Sequence, residues 1–278
     1  MSAAAKAPEF GTGFADLKAR LKATWMAGDY DLFSSFMETH AEQFCEELRI
    51  RPGTKLLDVG CGAGQLALLA ARAGAEVTAC DISTNWLDKG RARASAAGLR
   101  IRFEEGDAES LPFADARFDL VVSLIAAMFA PRPDRVAAEL TRVCRPGGKI
   151  VMANWTPGGF VGKMFKIIAR YIAPSGMPAP ALWGDEETVR DRLRAGVAKL
   201  KCTRRIYRFD YPFGPDAVVE FFRVNYGPTA RAFASLDDAG QQDLRRDLVR
   251  LWSEHNYAIG PSTHVDAEYL EVTALKEQ

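Results

Sequence analysis

Residues 56–64 read LLDVGCGAG, an apolar run that breaks into glycines at Gly60, Gly62 and Gly64; the next apolar run, VTACD, ends at Asp81. Glycines directly after a hydrophobic strand let something polar approach the backbone closely. The common dinucleotide fingerprint is GxGxxG, whose later glycines admit a pyrophosphate and a tightly packed helix. Here the pattern is GxGxG, with the third glycine one residue early. The loop alone leaves its ligand open, a bare structural turn included.

The acids around the loop narrow the choice. Asp58 stands at the strand end, two residues before the first glycine. A carboxylate there repels a pyrophosphate and welcomes an amino group, and it can also hold the loop through backbone N–H groups. Asp81 closes the second strand, where a carboxylate can accept from two ribose hydroxyls, each charge-assisted bond worth about 1.5–3 kcal/mol net. That position suits a nucleoside, NAD among them, and opposes the 2′-phosphate of NADP. A third strand ends in GDAESLPF, with Asp107 and Ala108 at its tip. The Asp107 carboxylate can accept from an exocyclic adenine amine while the Ala108 N–H donates to a ring nitrogen. No Lys or Arg lies in 60–65, and GxxxxGK[ST] is absent from the chain.

Outward from the loop the sequence alternates. KLLDVG, AEVTACD, IRFEEGD, FDLVVSLIA and KIVMANW read as five strands; GQLALLAARAG, NWLDKGRARASAAG and PDRVAAELTRVCRPGG read as helices between them. That rhythm predicts a parallel sheet covered on both faces, with right-handed crossovers. FADLKARLKATWM predicts a helix over 14–26, and a second helix runs from Ser34 to Leu48. Past Trp155, a strongly apolar helix is expected over 160–174, a further helix in DEETVRDRLRAG, a strand in KCTRRIYRFDYPF, helices across 215–258 and a final strand in HVDAEYLEVTAL. The division that follows is an N-terminal helical cap, 1–44, and a catalytic-type domain, 45–278, with helical insertions at about 159–175 and 215–258. Those additions are expected over the carboxyl ends of the strands, where open α/β sheets bind ligands.

Composition sets the outer bounds. The chain has 278 residues, 48% of them hydrophobic, enough for a core without staples. Lys plus Arg (36) balances Asp plus Glu (36), so no global field draws a polyanion, and no nucleic-acid partner is expected. Cys45, Cys61, Cys80, Cys144 and Cys202 are odd in number, widely spaced and without CxxC, which argues against a disulfide framework or a zinc site. The first dozen residues are Ala/Gly/Pro-biased and expected to fray. No signal-peptide core and no membrane-length apolar run is found, so a soluble cytoplasmic protein, monomer or homodimer, is expected.

The ordered motifs LLDVGCGAG, Asp81, GDAESLPF, FDLVVS and LTRVCRPGGKIVM together resemble those of the class I S-adenosylmethionine-dependent methyltransferases, in the broad ubiquinone/menaquinone-biosynthesis-like (methyltransferase type 11) branch. The resemblance covers about 50–155. It implies a Rossmann-like α/β fold: a seven-stranded, mostly parallel sheet with an antiparallel last strand, helices on both faces and helical lid insertions. It implies S-adenosyl-L-methionine as cofactor, with Asp58, Gly60, Cys61 and Gly62 holding the methionine moiety and Asp81 the ribose. Ile82 would pack on adenine, Asp107 and Ala108 would read its edge, and Ser123 and Leu124 would lie beside the transferred methyl. A cationic ligand also accounts for acids gathering at the strand ends.

Methyl transfer from a sulfonium is an in-line displacement that needs alignment and exclusion of water more than a catalytic dyad. The acceptor is expected to be a small, partly apolar organic molecule over strands four and five, near Met128, Phe129, Asn154 and Trp155. Trp25 and Tyr30 from the cap and Asn225 and Tyr226 from the late insertion are expected to contribute. The closing motifs of the quinone enzymes have no match in 156–278, which leaves carbon, oxygen or nitrogen as the acceptor atom. NPPY, the signature of amino-group methylation in DNA and glutamine, is absent. Among His40, His255 and His264, none has metal-ligand spacing, and His255 is the acid/base candidate because it lies in the insertion expected to cover the substrate. The alternatives are an NAD-dependent oxidoreductase, disfavoured by the loop spacing and Asp58, and a non-catalytic S-adenosylmethionine-binding protein.

Overall fold

A computed structural model of the chain describes residues 13–172 and 176–278. The expected fraying of the first dozen residues, and positions 173–174 of the helix expected over 160–174, lie outside the described residues. The elements run α1 (Gly13–Trp25), α2 (Tyr30–Ser35), α3 (Glu38–Leu48), β1 (Lys55–Val59), α4 (Gln65–Arg72), β2 (Glu76–Asp81), α5 (Thr84–Ala96), β3 (Ile101–Glu105), β4 (Phe118–Leu124), α6 (Pro133–Val143) and β5 (Cys144–Trp155). They continue with α7 (Phe160–Ile168), α8 (Glu186–Arg192), β6 (Val197–Tyr211), α9 (Pro215–Asn225), α10 (Gly227–Ala234), α11 (Asp238–His255) and β7 (Thr263–Lys276).

The strands form one seven-stranded sheet in the order β3-β2-β1-β4-β5-β7-β6. β1 to β5 pair in parallel, and β7 runs antiparallel to both of its neighbours. Strands buried on both faces are mostly apolar, and β1 and β2 are so between an exposed first residue, Lys55 or Glu76, and the acids Asp58 and Asp81 near their carboxyl ends. Successive residues then point to opposite sides: Leu56 belongs to the buried cluster that holds Phe44, Leu66 and Leu87 of α3, α4 and α5, while Leu57 belongs to the one that holds Leu140 of α6 and Val189 of α8. No described helix is long and apolar enough to cross a membrane.

Three boundaries differ from expectation, each for a local reason. The helix read as one from Ser34 to Leu48 is two. Asp29 caps a separate first turn by accepting from Leu32 N, and the Ser34 and Ser35 hydroxyls donate back to the Asp31 and Leu32 carbonyls, which competes with continuation. β5 starts at Cys144, not Lys149, because Phe118 pairs with Cys144 before the register jumps so that Leu120 meets Lys149. Arg145 to Gly148 form the resulting bulge, with Gly147 at φ 67°. α7 ends at Ile168, capped by Ala169 N–H bonds to Ile167 and Phe165 carbonyls.

The N-terminal helices dock over the carboxyl ends of the strands. Lys18 of α1 pairs with Asp107 (2.7 Å) and Glu109 (3.0 Å), and Lys22 pairs with Glu105. Trp86 Nε1 donates to the Trp25 carbonyl at 2.7 Å. Gly227 meets the end of α1 so closely that a Cβ there would stand 2.0 Å from Thr24 O. Gly227→Ala is therefore expected to push α1 away from α10 and to destabilise the protein by about 1–3 kcal/mol, read from the urea midpoint.

Candidate active site

The glycine loop between β1 and α4 is built for close approach. Gly60, Gly62 and Gly64 have φ of 76°, 52° and 85°, a region that residues with a Cβ seldom occupy. Gly60 N and Cys61 N donate to Cys80 O at 2.7 and 3.1 Å, tying the loop to the end of β2. Gly62 N donates to Asp81 Oδ2 at 2.9 Å and Ser83 N to Asp81 Oδ1 at 2.8 Å, so each oxygen of this carboxylate takes one backbone bond and keeps accepting capacity. The loop's shape and the acid opposite it are one structure.

Asp58 is buried, and its Oδ2 has no hydrogen-bond partner among the described residues. Burial, with the Asp81 charge adding, pushes its carboxyl up to about 7. Burial also raises Asp81, against the bonds from Gly62 and Ser83 that favour its ionised form. Two carboxyl groups that resist ionisation at the mouth of one loop favour a cationic ligand, which stabilises both charges at once.

Two spaces border this loop and a third adjoins them. The first, a cleft of about 790 Å3, is lined by Gly60, Asp81, Ile82, Asp107 and Ala108 from the strand ends and by Lys18 and Trp25 from α1. The second, about 540 Å3, is lined by Asp58, Cys61, Gly62, Gln65, Leu124 and, from α3 and β6, His40 and Tyr207. The third, about 390 Å3, is apolar and lies between the cap and α7, α9 and β6; Phe129, Trp155, Phe209 and Tyr226 are among its walls. Tyr30 and Ile125 border all three. Ile125 has φ 51°, held by its N–H bond to Ala153 O at 3.0 Å. For a β-branched residue that conformation costs about 1–3 kcal/mol, and such strain concentrates at functional sites.

Most residues singled out in the sequence meet here. Asp58, Gly60, Cys61, Gly62, Asp81, Ile82, Asp107, Ala108 and Leu124 line the first two spaces, and Trp25, Tyr30, Phe129, Trp155 and Tyr226 line the third. Others do not. Ser123 Oγ donates to Val59 O and accepts from Ala127 N, both at 2.9 Å, fastening the end of β4 to its neighbours. Met128 is core, and Asn225 Nδ2 is spent on the Phe221 carbonyl at 3.0 Å. Asn154 is fully buried with both amide atoms unpartnered, and it lines none of the three spaces. His255 is corrected: it sits in the last turn of α11 with Nδ1 on Leu251 O (2.9 Å) and Nε2 facing Lys163 Nζ (3.1 Å), away from all three spaces.

The histidine that does reach the site is His40. Its Nε2 accepts from Arg208 N at 2.9 Å, its ring stacks on Tyr207 at 3.7 Å, and burial followed by the Arg208 charge lowers its pKa. His40 was readable as a residue near the cofactor mouth; Lys18 was missed, although it binds the Asp107 carboxylate from 89 residues away. A lysine on the polar side of a helix gives no sequence signal for such a contact.

A family model described as a methyltransferase domain matches residues 57–152. The uncharacterized protein Rv1405c of Mycobacterium tuberculosis is 38% identical over 268 residues, spanning 94% of this chain and 95% of that protein. Methyltransferase GfsG of Streptomyces halstedii is 40% identical over 120 residues, 42% of this chain and 43% of its own. Among solved structures, the YcgJ protein of Bacillus subtilis has the same fold, with a TM-score of 0.59 at 17% identity over 86% of this chain and 99% of that one.

Proposed function

We propose, from the premise that the chain belongs to the class I S-adenosylmethionine-dependent methyltransferases in their type 11 branch, that it methylates a small, partly apolar organic acceptor by in-line displacement. One observation carries the reading. The acidic spaces around the glycine loop and the apolar chamber meet at Tyr30 and Ile125, so a cationic nucleoside and an apolar partner share one boundary.

The residues fit the cofactor. The unpartnered Asp58 Oδ2 suits an ammonium, and the remaining lone pairs of Asp81 suit vicinal ribose hydroxyls. Asp107 and Ala108 would read the adenine edge, with Ile82 beneath the ring. When bound, the cofactor supplies a methyl group on a cationic sulfur. What the chain supplies is alignment, for which orientation alone contributes about 7–11 kcal/mol, and a wall of apolar side chains that keeps water from the methyl. Asp107 already holds Lys18 of the cap, so the same carboxylate that would receive adenine also fastens the helix above it.

Calorimetry tests the reading. S-adenosylmethionine and S-adenosylhomocysteine should both bind at one site per chain, and NAD should not; NAD binding with silent S-adenosyl ligands would overturn it. The pH dependence has a defined sign. In the free protein the Asp58 carboxyl is pushed up to about 7, and an ammonium binds only its ionised form. Affinity should therefore fall by up to about tenfold per pH unit below neutrality and level off above it, with a proton released on binding near pH 6 and almost none near pH 8. Titrations in buffers of different ionisation enthalpy measure that proton.

A further inference from the structure

The chamber that would take the acceptor has an unusual wall. Of the thirteen residues lining it, nine are aromatic and the rest are Met37, Ile125, Val161 and Met164. Among the described residues no Asp, Glu, Lys, Arg or His contributes to it. Its polar side-chain groups are all neutral: the hydroxyls of Tyr30 and Tyr226 and the indole N–H groups of Trp25 and Trp155. Burial, with the Asp81 charge adding, pushes Tyr30 up to about 12, and burial raises Tyr226 as well, so both stay protonated at neutral pH and neither can take a proton.

Each class of acceptor makes its own demand on such a chamber. A carboxylate needs a cation to offset the loss of its hydration, and the wall offers only neutral phenol and indole groups. A phenol, an alcohol, a thiol or a carbon acid must lose a proton to a base within hydrogen-bond reach; no base lines the chamber, and His40 of the adjoining space has its accepting Nε2 taken by Arg208 N. A neutral amine needs neither. Its nitrogen lone pair forms the N–CH3 bond as the pair of the C–S bond withdraws onto sulfur. The single positive charge thus passes from sulfur to nitrogen, and for a tertiary amine no proton moves at all. Removal from water also favours the neutral form of an amine, the form that carries the lone pair. The charged product then lies among aromatic rings, whose quadrupoles attract cations.

We infer that the acceptor is an amine on a small apolar body, taken up uncharged and released as a methylated ammonium, and that the aromatic chamber selects it. This rests on the methyl-transfer reading above. The rings come from α1 and α2 (Trp25, Tyr30), from β5 (Trp155), from α9 and its end (Phe222, Tyr226) and from the turn after β4 (Phe129). Apart from Ile125 and Phe129, every residue of the wall lies outside the segment 57–152 that matches the family, so the selectivity belongs to this chain's additions.

The test uses a mimic of the product complex. With the protein saturated by S-adenosylhomocysteine, phenyltrimethylammonium, its neutral carbon isostere tert-butylbenzene and benzoate are titrated in turn. The ammonium is expected to bind at least about tenfold more tightly than the isostere. Trp155→Leu and Phe222→Leu, which line neither cofactor space, should shrink that preference while S-adenosylhomocysteine affinity holds. Equal or tighter binding of the isostere or benzoate, or no saturable binding of the ammonium, overturns the inference. Failure of S-adenosylhomocysteine itself to bind would instead sink the methyl-transfer reading, so the two failures are told apart.

Discussion

Asp81→Ala is expected to weaken S-adenosylmethionine binding by about 100- to 10,000-fold. The two ribose bonds it would remove are charge-assisted, worth roughly 1.5–3 kcal/mol each, with incomplete additivity lowering the sum. The loop also loses its order, because the same carboxylate receives Gly62 N and Ser83 N. Asp81→Asn retains one oxygen acceptor and should recover part of the affinity. Calorimetry on both variants, with circular dichroism to show that they fold, measures the effect; a change of less than threefold in the alanine variant would remove Asp81 from the ribose site.

Gly60→Ala should be the most damaging single-methyl change at the site. Its φ of 76° opposes any L side chain, at about 1–2 kcal/mol, and the added Cβ would stand 2.3 Å from Ala126 Cβ. Overpacking adds about 1–3 kcal/mol. A total loss of about 2–5 kcal/mol is expected in urea unfolding, together with loss of cofactor binding. Gly53 supplies the control. It has φ 80° with no atom within 4 Å of a built Cβ, so Gly53→Ala should show the backbone part alone. Equal losses in the two variants would mean that the contact with Ala126 relaxes freely.

What could be read from the sequence was what is written locally. β1 to β4, the helices between them and the glycine loop with Asp58, Asp81 and Asp107 all depend on runs of a few residues and on spacing within one βα unit. The break at Phe36 and Met37 was hidden because the segment keeps a helical apolar spacing; serine back-bonding and the Asp29 cap decide it. The early start of β5 was hidden because Pro146-Gly147-Gly148 reads as a stop, while pairing of Cys144 with Phe118 carries the strand past it. The chamber wall was half legible. Trp25, Tyr30, Phe129, Trp155, Phe222 and Tyr226 follow from their nearness to the strand ends or the lid, whereas Phe209 reaches it only through the placement of β6. His255 and His40 show the same limit. Position in a covering insertion suggested the first, but the Lys163 and Leu251 contacts hold it elsewhere; the second was expected only near the cofactor mouth, and the packing of α3 on β6 fixes it there.

The sheet order has a consequence for how the protein comes into being. β6 precedes β7 in the chain, yet β7 lies between β5 and β6 and is the strand through which β6 joins the sheet. During vectorial synthesis the segment carrying Tyr207, Phe209 and Tyr211 therefore waits without a partner until β7 has left the ribosome. Until then this aromatic-rich stretch is an unpaired strand edge, the kind of surface that chaperones shield and that aggregates when they do not. The wall of the chamber that Trp155 and Phe209 form together closes last, after the glycine loop and its acids are in place.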